Sequence, residues 1–249
     1  MRRLRSLARR LTDAALDLSH AARAQASSAW ARLRSHGGFP TGAADCAPIP
    51  VVLLPGILER WNYMAPLGRY LAAHGHPVHV VDGLGWNVAT LAESVEVCLA
   101  VLRENDVHGA VLVAHSKGGL IGKAVLRDAR LGDGALGLVA VATPFGGSTF
   151  GGPLQRLRLV QHSPLGLFSP TNAELGALAR EQDVNARIVS LAPAWDQMIP
   201  GGSHLDGATN VSLTGRGHFR PIQDATVWEL IHAHVHGLAE RAASPGPAD

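Results

Sequence analysis

The residues best suited to covalent chemistry in this chain are centred on a serine that follows a short apolar run. Ser116 comes after the apolar residues 111–114 and has small residues two positions away on either side, Ala114 and Gly118. Small residues at these positions permit the sharp turn that leaves a hydroxyl exposed between a strand and a helix. With a base to take its proton and a buried acid to orient that base, such a serine is a nucleophile. The sequence therefore predicts nucleophilic catalysis at Ser116.

A base and an acid for this serine are expected among the residues that follow the later strands. The chain contains 13 histidines, so position must choose among them. His218 stands in the glycine-containing segment 214–219, directly after the last predicted strand, where a sharp turn can bring its ring over the serine. Asp196, just beyond the fifth strand, is the preferred acid. Asp206, in a predicted surface turn, and Asp183, at the end of a predicted helix, are the rival acids.

The elements that must position these residues alternate along the chain. The predicted strands are 49–54, 77–81, 111–115, 138–142, 188–192 and 210–213, and the predicted helices are 64–74, 90–104, 120–130 and 222–241. This alternation predicts an α/β fold, with a mostly parallel, doubly wound sheet of about six strands and helices on both faces. Ligands of such sheets bind beyond the carboxyl ends of the strands, where the serine, aspartate and histidine would meet.

The segment Ala114-His115-Ser116-Lys117-Gly118 resembles the nucleophile elbow of the α/β-hydrolase family, specifically its lipase-like branch. In that branch Ala-His-Ser-x-Gly can replace Gly-x-Ser-x-Gly. The chain order Ser, Asp, His is the one expected for this fold. In lipase-like relatives a similar Asp-x-x-apolar-Pro segment carries the acid and a Gly-His follows the next strand, and residues 196–200 and 217–218 match these features. The resemblance covers about residues 49–240.

The resemblance implies a serine hydrolase of carboxylic esters, similar to lipases and carboxylesterases. Ser116 would attack the acyl carbonyl, His218 would accept and return the proton, and Asp196 would orient His218. No metal and no organic cofactor is expected. An acyltransferase or a thioesterase using the same triad is the alternative, and a non-catalytic lipid-binding protein of the same fold is a hypothesis from another class.

Two backbone N–H groups should hold the oxyanion of the tetrahedral intermediate. One is the N–H of Lys117, which opens the helix after the serine. The second should come from the loop after the first strand, where relatives carry a His-Gly-x segment and the residue after the glycine donates. Ile57 matches that position, although Pro55 replaces the histidine.

Four aromatic residues follow four different strands and could gather around the serine as an apolar substrate cleft. They are Trp61, Trp86, Phe145 and Trp195. The alternative is that each packs on its own loop. Residues 145–182 form a leucine-containing insertion between strands, which we interpret as a lid or cap because it is longer than a plain crossover.

The first 48 residues differ in composition from the body. Eight arginines fall within the first 34 residues, while leucines recur at roughly helical spacing, so residues 3–34 predict a basic amphipathic helix. It either attaches to an anionic membrane surface or is a solvated helix or one lying on the body. Residues 35–48 are a predicted linker, 49–241 the α/β-hydrolase domain and 242–249 a disordered tail.

Composition excludes several other classes. The formal net charge is +2, and the body has no basic stripe interleaved with aromatics, so no nucleic-acid partner is expected. The partner is instead expected to be a small ester or lipid substrate, with the N-terminal helix available for peripheral membrane contact. No apolar signal-peptide core and no run of about 18 apolar residues occurs, and there are two cysteines, so we expect a cytoplasmic protein, including one on the inner membrane surface.

Three further patterns are expected to be functionally silent. His232, His234 and His236 alternate in the last helix, and the first and third share a face at metal-ligand spacing. No acidic residue completes a His-Glu-x-x-His pattern, so a solvated helix face is expected. Residues 83–85 form a plain turn rather than a dinucleotide fingerprint. The Lys117 side chain is expected to point to water, with contact to an anionic head group as the alternative.

Overall fold

A computed structural model describes residues 2–32, 48–148 and 164–244 of the chain. The strands are β1 (Val51–Leu54), β2 (Val78–Val80), β3 (Ala110–His115), β4 (Ala135–Val141), β5 (Ile188–Ala192) and β6 (Thr209–Ser212). The α-helices are α1 (Arg2–Arg32), α2 (Ala65–Ala73), α3 (Leu91–Glu104), α4 (Lys117–Arg127), α5 (Ala173–Arg180) and α6 (Ala225–Ala243).

The six strands form one parallel sheet in the order β2-β1-β3-β4-β5-β6. This confirms the predicted fold class. From β1, which is second from one edge, the chain passes to the edge strand β2. It then crosses to β3, on the other side of β1, and continues through β4 and β5 to β6 at the opposite edge. The reversal places the carboxyl end of β3 beside that of β1, which is the position where open α/β sheets bind ligands.

Alternation of side chains along the strands creates two apolar layers. In β1, Val52 and Leu54 pack with apolar residues of α3 and α4 on one face of the sheet. Val51 and Leu53 pack on the other face, with α2 and α6. Because the inner strands are covered on both faces, β1 and β4 contain no polar side chain, whereas the edge strands β2 and β6 are partly exposed and contain polar residues.

The N-terminal helix α1 lies on the body of the protein. Ala24 packs against the core layer of α2 and α6, and the Asp17 side chain is fully buried. Leu11, Leu16 and Leu18 are exposed. The described side chains of α1 therefore contact the body through polar groups and a small residue rather than through these leucines. Contact of the exposed leucines with a membrane remains a prediction.

Residues 33–47 and 149–163 lie outside the described residues. They include most of the predicted linker 35–48 and part of the predicted cap 145–182. The described remainder of the insertion is packed: Leu167, Phe168, Leu175 and Leu178 belong to the apolar layer of α3 and α4. Helix α6 continues to Ala243, two residues into the predicted tail. Among the described helices, none is long and apolar enough to cross a membrane.

Candidate active site

Ser116 occupies a strained turn between β3 and α4. Its φ of 52° and ψ of −119° lie in a region that residues with a side chain rarely adopt. A Cβ atom at Gly118 would collide with the carbonyl oxygen of Leu54, so this position requires glycine. The turn is secured by hydrogen bonds from the Ser116 N–H to the Val141 carbonyl (2.9 Å) and from the Thr143 hydroxyl to the Ser116 carbonyl (3.1 Å).

The three residues predicted for the triad meet at the carboxyl edge of the sheet. His218 Nε2 lies 2.9 Å from Ser116 Oγ, and His218 Nδ1 lies 2.8 Å from Asp196 Oδ2. The other oxygen of Asp196 accepts hydrogen bonds from the N–H groups of Met198 (2.7 Å) and Ile199 (3.0 Å). All three triad side chains are buried. The arrangement permits proton transfer from the hydroxyl to the imidazole, with a fixed carboxylate behind the ring.

The rival acids lie elsewhere. The Asp183 side chain is 68% exposed and lies 3.9 Å from Arg127. Asp206 is 82% exposed and pairs with His204 at 3.0 Å. Neither has the burial or the partner that an orienting acid for His218 requires, and Asp196 has both.

A second carboxylate, Asp17 of α1, holds the loop that carries His218. It accepts hydrogen bonds from the N–H groups of His218 (2.8 Å), Phe219 (3.0 Å) and Arg220 (2.9 Å). The Gln197 side chain, next to the triad acid, donates to the same carboxylate. Asp17 thus joins the loops of the base and the acid. Sequence reasoning did not find it, because it lies 201 residues from His218 in a segment with no strand-end pattern.

Helix α1 also contacts the flanking loops. Asp13 pairs with Arg216 at 2.7 Å, and the Arg216 guanidinium lies 5.3 Å from the centre of the Trp195 ring. The Gln25 side chain donates to the carbonyl of Leu58, in the loop after β1 (2.8 Å). One helix therefore fixes both the loop of the base and the loop predicted to hold the oxyanion.

Behind the triad, Glu59 and His115 form a buried pair. His115 Nδ1 donates to Glu59 Oε2 at 2.9 Å, and its Nε2 donates to the His218 carbonyl at 3.0 Å. Because both ring nitrogens donate, the ring is an imidazolium. Burial opposes this charge, but the adjacent Glu59 carboxylate raises the pKa of His115 above its usual value. Sequence reasoning quoted His115 only as part of the serine motif and missed Glu59.

The loop after β1 presents the predicted oxyanion donor. The Gly56 N–H donates to Glu59 Oε2 (2.7 Å), so it is not available to bind an oxyanion. Neither the Ile57 N–H nor the Lys117 N–H has a protein acceptor among the described residues. The Asn87 side chain donates to the Pro55 carbonyl (2.7 Å) and holds the loop in place. The Ile57 N–H thus has no acceptor among the described residues, and its role as oxyanion donor stays a prediction.

The expectation that the Lys117 side chain points to water is wrong. The residue is 1% exposed, and its Nζ donates to the carbonyls of Asn87 (2.9 Å) and Ala89 (2.6 Å). Burial lowers its pKa to about 8. The lysine is directed back toward the loop after β2, because the close packing of α4 on the sheet leaves its first turn inside the protein. It ties that loop to the helix of the nucleophile.

The four aromatic residues occupy different environments. Phe145 is buried in the apolar layer of α3 and α4. Trp195 lies beside Arg216, and Trp86 is 48% exposed with the Arg60 guanidinium 6.0 Å from its ring centre. Trp61 is partly buried at the start of a short helical turn, Trp61–Met64. Their role in binding substrate remains a prediction.

Comparison with known proteins finds similar architectures among solved structures. No protein-family model matches the chain, and no curated protein matches it. Solved structures do. The mature form of the lipase BlEst2 from Bacillus licheniformis is 16% identical, with a TM-score of 0.63, over 80% of this chain and 96% of that one. A structure of the metagenome-derived lipolytic enzymes LipS and LipT is 12% identical, with a TM-score of 0.58, over 82% and 96%.

A third similar structure is naproxen esterase (carboxylesterase NP) from Bacillus subtilis. It is 14% identical, with a TM-score of 0.51, over 78% of this chain and 85% of that one. At such identities the similarity concerns the arrangement of strands and helices.

Proposed function

Because the chain has the α/β-hydrolase fold, we propose that it is a serine hydrolase that cleaves carboxylic esters. The observation that carries this proposal is the continuous hydrogen-bonded series from Ser116 Oγ through His218 to Asp196, built on a strained turn. A buried serine without such chemistry would gain nothing from a strained backbone and a histidine in line with its hydroxyl.

The reaction would proceed in two halves. Ser116 Oγ attacks the acyl carbonyl carbon and its proton passes to His218 Nε2, while the N–H groups of Ile57 and Lys117 stabilise the oxyanion. The intermediate collapses, the ester C–O bond breaks, and the alcohol leaves with the proton from His218. Water then attacks the acyl-enzyme with His218 again as base. The carboxylic acid is released and the serine is restored.

Asp196 contributes by fixing and stabilising the base. One carboxylate oxygen accepts the Nδ1–H of His218, which leaves Nε2 as the acceptor facing the serine. The other is held by two backbone N–H groups, so the carboxylate cannot rotate away. A negative charge behind the ring favours the imidazolium that forms at each proton transfer.

The same triad would serve a thioesterase or an acyltransferase, which differ in the group that leaves or accepts the acyl chain. The resemblance of the serine motif to lipases and the neighbouring lipolytic structures favour oxygen esters. A non-catalytic lipid-binding protein is the second hypothesis, and the exposed leucines of α1 are the observation that favours it. A lipid-binding role alone would not require the aligned side chains of Ser116, His218 and Asp196.

The deciding experiment is labelling of the full-length protein with a fluorophosphonate, followed by hydrolysis of p-nitrophenyl acetate, octanoate and palmitate. We expect wild type to label and both Ser116→Ala and His218→Ala to fail. Ser169→Ala, which removes an exposed hydroxyl bonded to Thr171, is the matched control and should label like wild type. A folded wild-type protein that neither labels nor hydrolyses any of the three esters would overturn the proposal and favour lipid binding.

A further inference from the structure

Three histidines from two distant parts of the chain converge at the amino edge of the sheet. His76 lies just before β2, and His232 and His236 are one turn apart on α6. The expectation of a solvated face for the two helical histidines is wrong, because both are half-buried against His76. The helix packs its histidine face onto the loop between α2 and β2, which supplies a third ring that the helix alone could not.

The spacing of the three rings suits a shared metal ion. One nitrogen from each ring lies within 4.8 Å of the others. The ring centres are 5.1 Å (His76–His232), 5.2 Å (His76–His236) and 4.7 Å (His232–His236) apart. Two imidazoles bound tetrahedrally to one Zn²⁺, with Zn–N bonds of about 2.0–2.1 Å, have centres about 5 Å apart. The distances between the three rings are therefore close to those of three imidazoles bound to one metal ion.

The orientation of His76 is fixed by its backbone neighbour. The residue is 1% exposed, and its Nδ1–H donates to the Ile49 carbonyl at 2.9 Å. Its Nε2 therefore carries a lone pair, which faces His232 Nδ1 at 2.9 Å. Histidine ligands of metals commonly donate their second N–H to a backbone carbonyl in this way. The buried ring thus has the tautomer and direction of a ligand.

We propose that His76, His232 and His236 form a binding site for a divalent transition metal such as Zn²⁺, remote from the serine. Three imidazoles without a carboxylate suit Zn²⁺, Ni²⁺ or Cu²⁺ rather than Ca²⁺ or Mg²⁺, which prefer oxygen ligands. The ion would replace the hydrogen bond between His76 and His232, with the His232 proton moving to its other nitrogen. Water would complete the tetrahedron. Such a site would tie α6 to the sheet.

The test uses full-length protein freed of any affinity tag and dialysed against EDTA. We expect wild type to bind one equivalent of Zn²⁺ in calorimetry and to give the visible absorption of tetrahedral Co²⁺. A metal concentration about a hundred times Kd should raise Tm by about 5 °C or more. Ser116→Ala should bind metal like wild type, so this test is independent of the ester-hydrolase proposal.

Variants separate the site from its surroundings. His76→Gln and His236→Gln should weaken binding at least tenfold and abolish the Tm shift. His236 is half-buried, so this variant keeps the test open if His76→Gln fails to fold. His234→Gln, on the same helix between the two ligands, is the matched control and should bind like wild type. Absence of one-to-one binding in wild type, or binding that His236→Gln leaves unchanged, would overturn the proposal.

Discussion

His218 and His76 lie at opposite edges of the same sheet and are held in the same way. Each donates Nδ1–H to an oxygen, Asp196 Oδ2 at 2.8 Å and the Ile49 carbonyl at 2.9 Å. Each presents Nε2 to a further group, the Ser116 hydroxyl or the His232 ring, again at 2.9 Å. The difference lies in the charge of the partner. A carboxylate stabilises a positive charge on the ring that donates to it more strongly than a neutral carbonyl does.

The residues around His218 and around His76 also differ in charge. The carboxyl edge holds three buried carboxylates, those of Asp17, Glu59 and Asp196. At the amino edge, burial lowers the pKa of His76, and burial followed by the neighbouring histidines lowers that of His232 to about 4. The histidines at the amino edge thus lie among neutral groups, whereas His218 lies among carboxylates.

Removing the charge behind His218 should have the largest effect. Asp196→Asn gives this histidine a neutral partner, as His76 has, and can leave it in the wrong tautomer. We expect kcat/KM for p-nitrophenyl esters to fall about 10³- to 10⁴-fold. The rival acid Asp206 provides the matched control, and Asp206→Asn should stay within about twofold of wild type. If Asp206→Asn lost most of its activity and Asp196→Asn lost none, the acid would be Asp206 and not Asp196.

The next effect concerns Asp17, which we interpret as a positioning residue. Asp17→Asn keeps one acceptor oxygen and Asp17→Ala keeps none, so we expect kcat to fall about 10-fold and 100-fold, with KM within about twofold. Assays are run below the unfolding temperature of each variant. Ser19→Ala, on the exposed side of α1, is the control. If both Asp17 variants lost stability but kept wild-type kcat, the carboxylate would serve folding alone.

The smallest effect is a pH-dependent change in stability from Glu59→Gln. The raised pKa of His115 means that the pair stabilises the fold fully below the usual histidine value of 6.5 and less as pH rises through the native pKa. The difference in free energy of unfolding between wild type and variant should be about 1–3 kcal/mol near pH 6 and shrink as the pH rises above 6.5. Urea unfolding across this range measures it.

The control for that series is Glu96→Gln, which removes an exposed partner of Arg130. Its effect should be small and should not change over the same range of pH. A constant difference for Glu59→Gln would mean that His115 is not charged in the folded protein.

The sheet and the meeting of Ser116, His218 and Asp196 at its carboxyl edge could be predicted from the sequence because both depend on local patterns. Apolar runs of strand length give the strands, and strands that run parallel bring their carboxyl ends together. Ser116 follows β3 directly, and Asp196 and His218 lie in the loops after β5 and β6, so the parallel topology brings all three to the carboxyl edge. The role of the Ile57 N–H as an oxyanion donor follows from the resemblance to lipase-like relatives and stays a prediction.

Other contacts could not be predicted because they join segments without a shared pattern. Asp17 meets His218 across 201 residues, and His76 meets His232 across 156. An isolated aspartate in an arginine-rich helix has no signal that it will be buried. Lys117 was misjudged because helix position predicts exposure only when the packing of that turn is known. Burial of polar groups depends on the tertiary fold.

The bond between Asp17 and the His218 loop also sets an order of events during synthesis. Helix α1 leaves the ribosome long before the loop that it holds, because 201 residues separate Asp17 from His218. Until residues 218–220 emerge, the carboxylate lacks the three N–H groups that it accepts in the finished protein. A truncated nascent chain can build most of the sheet and yet lack the base. Any hydrolytic activity that depends on this contact therefore begins only after both Asp17 and residues 218–220 have been made.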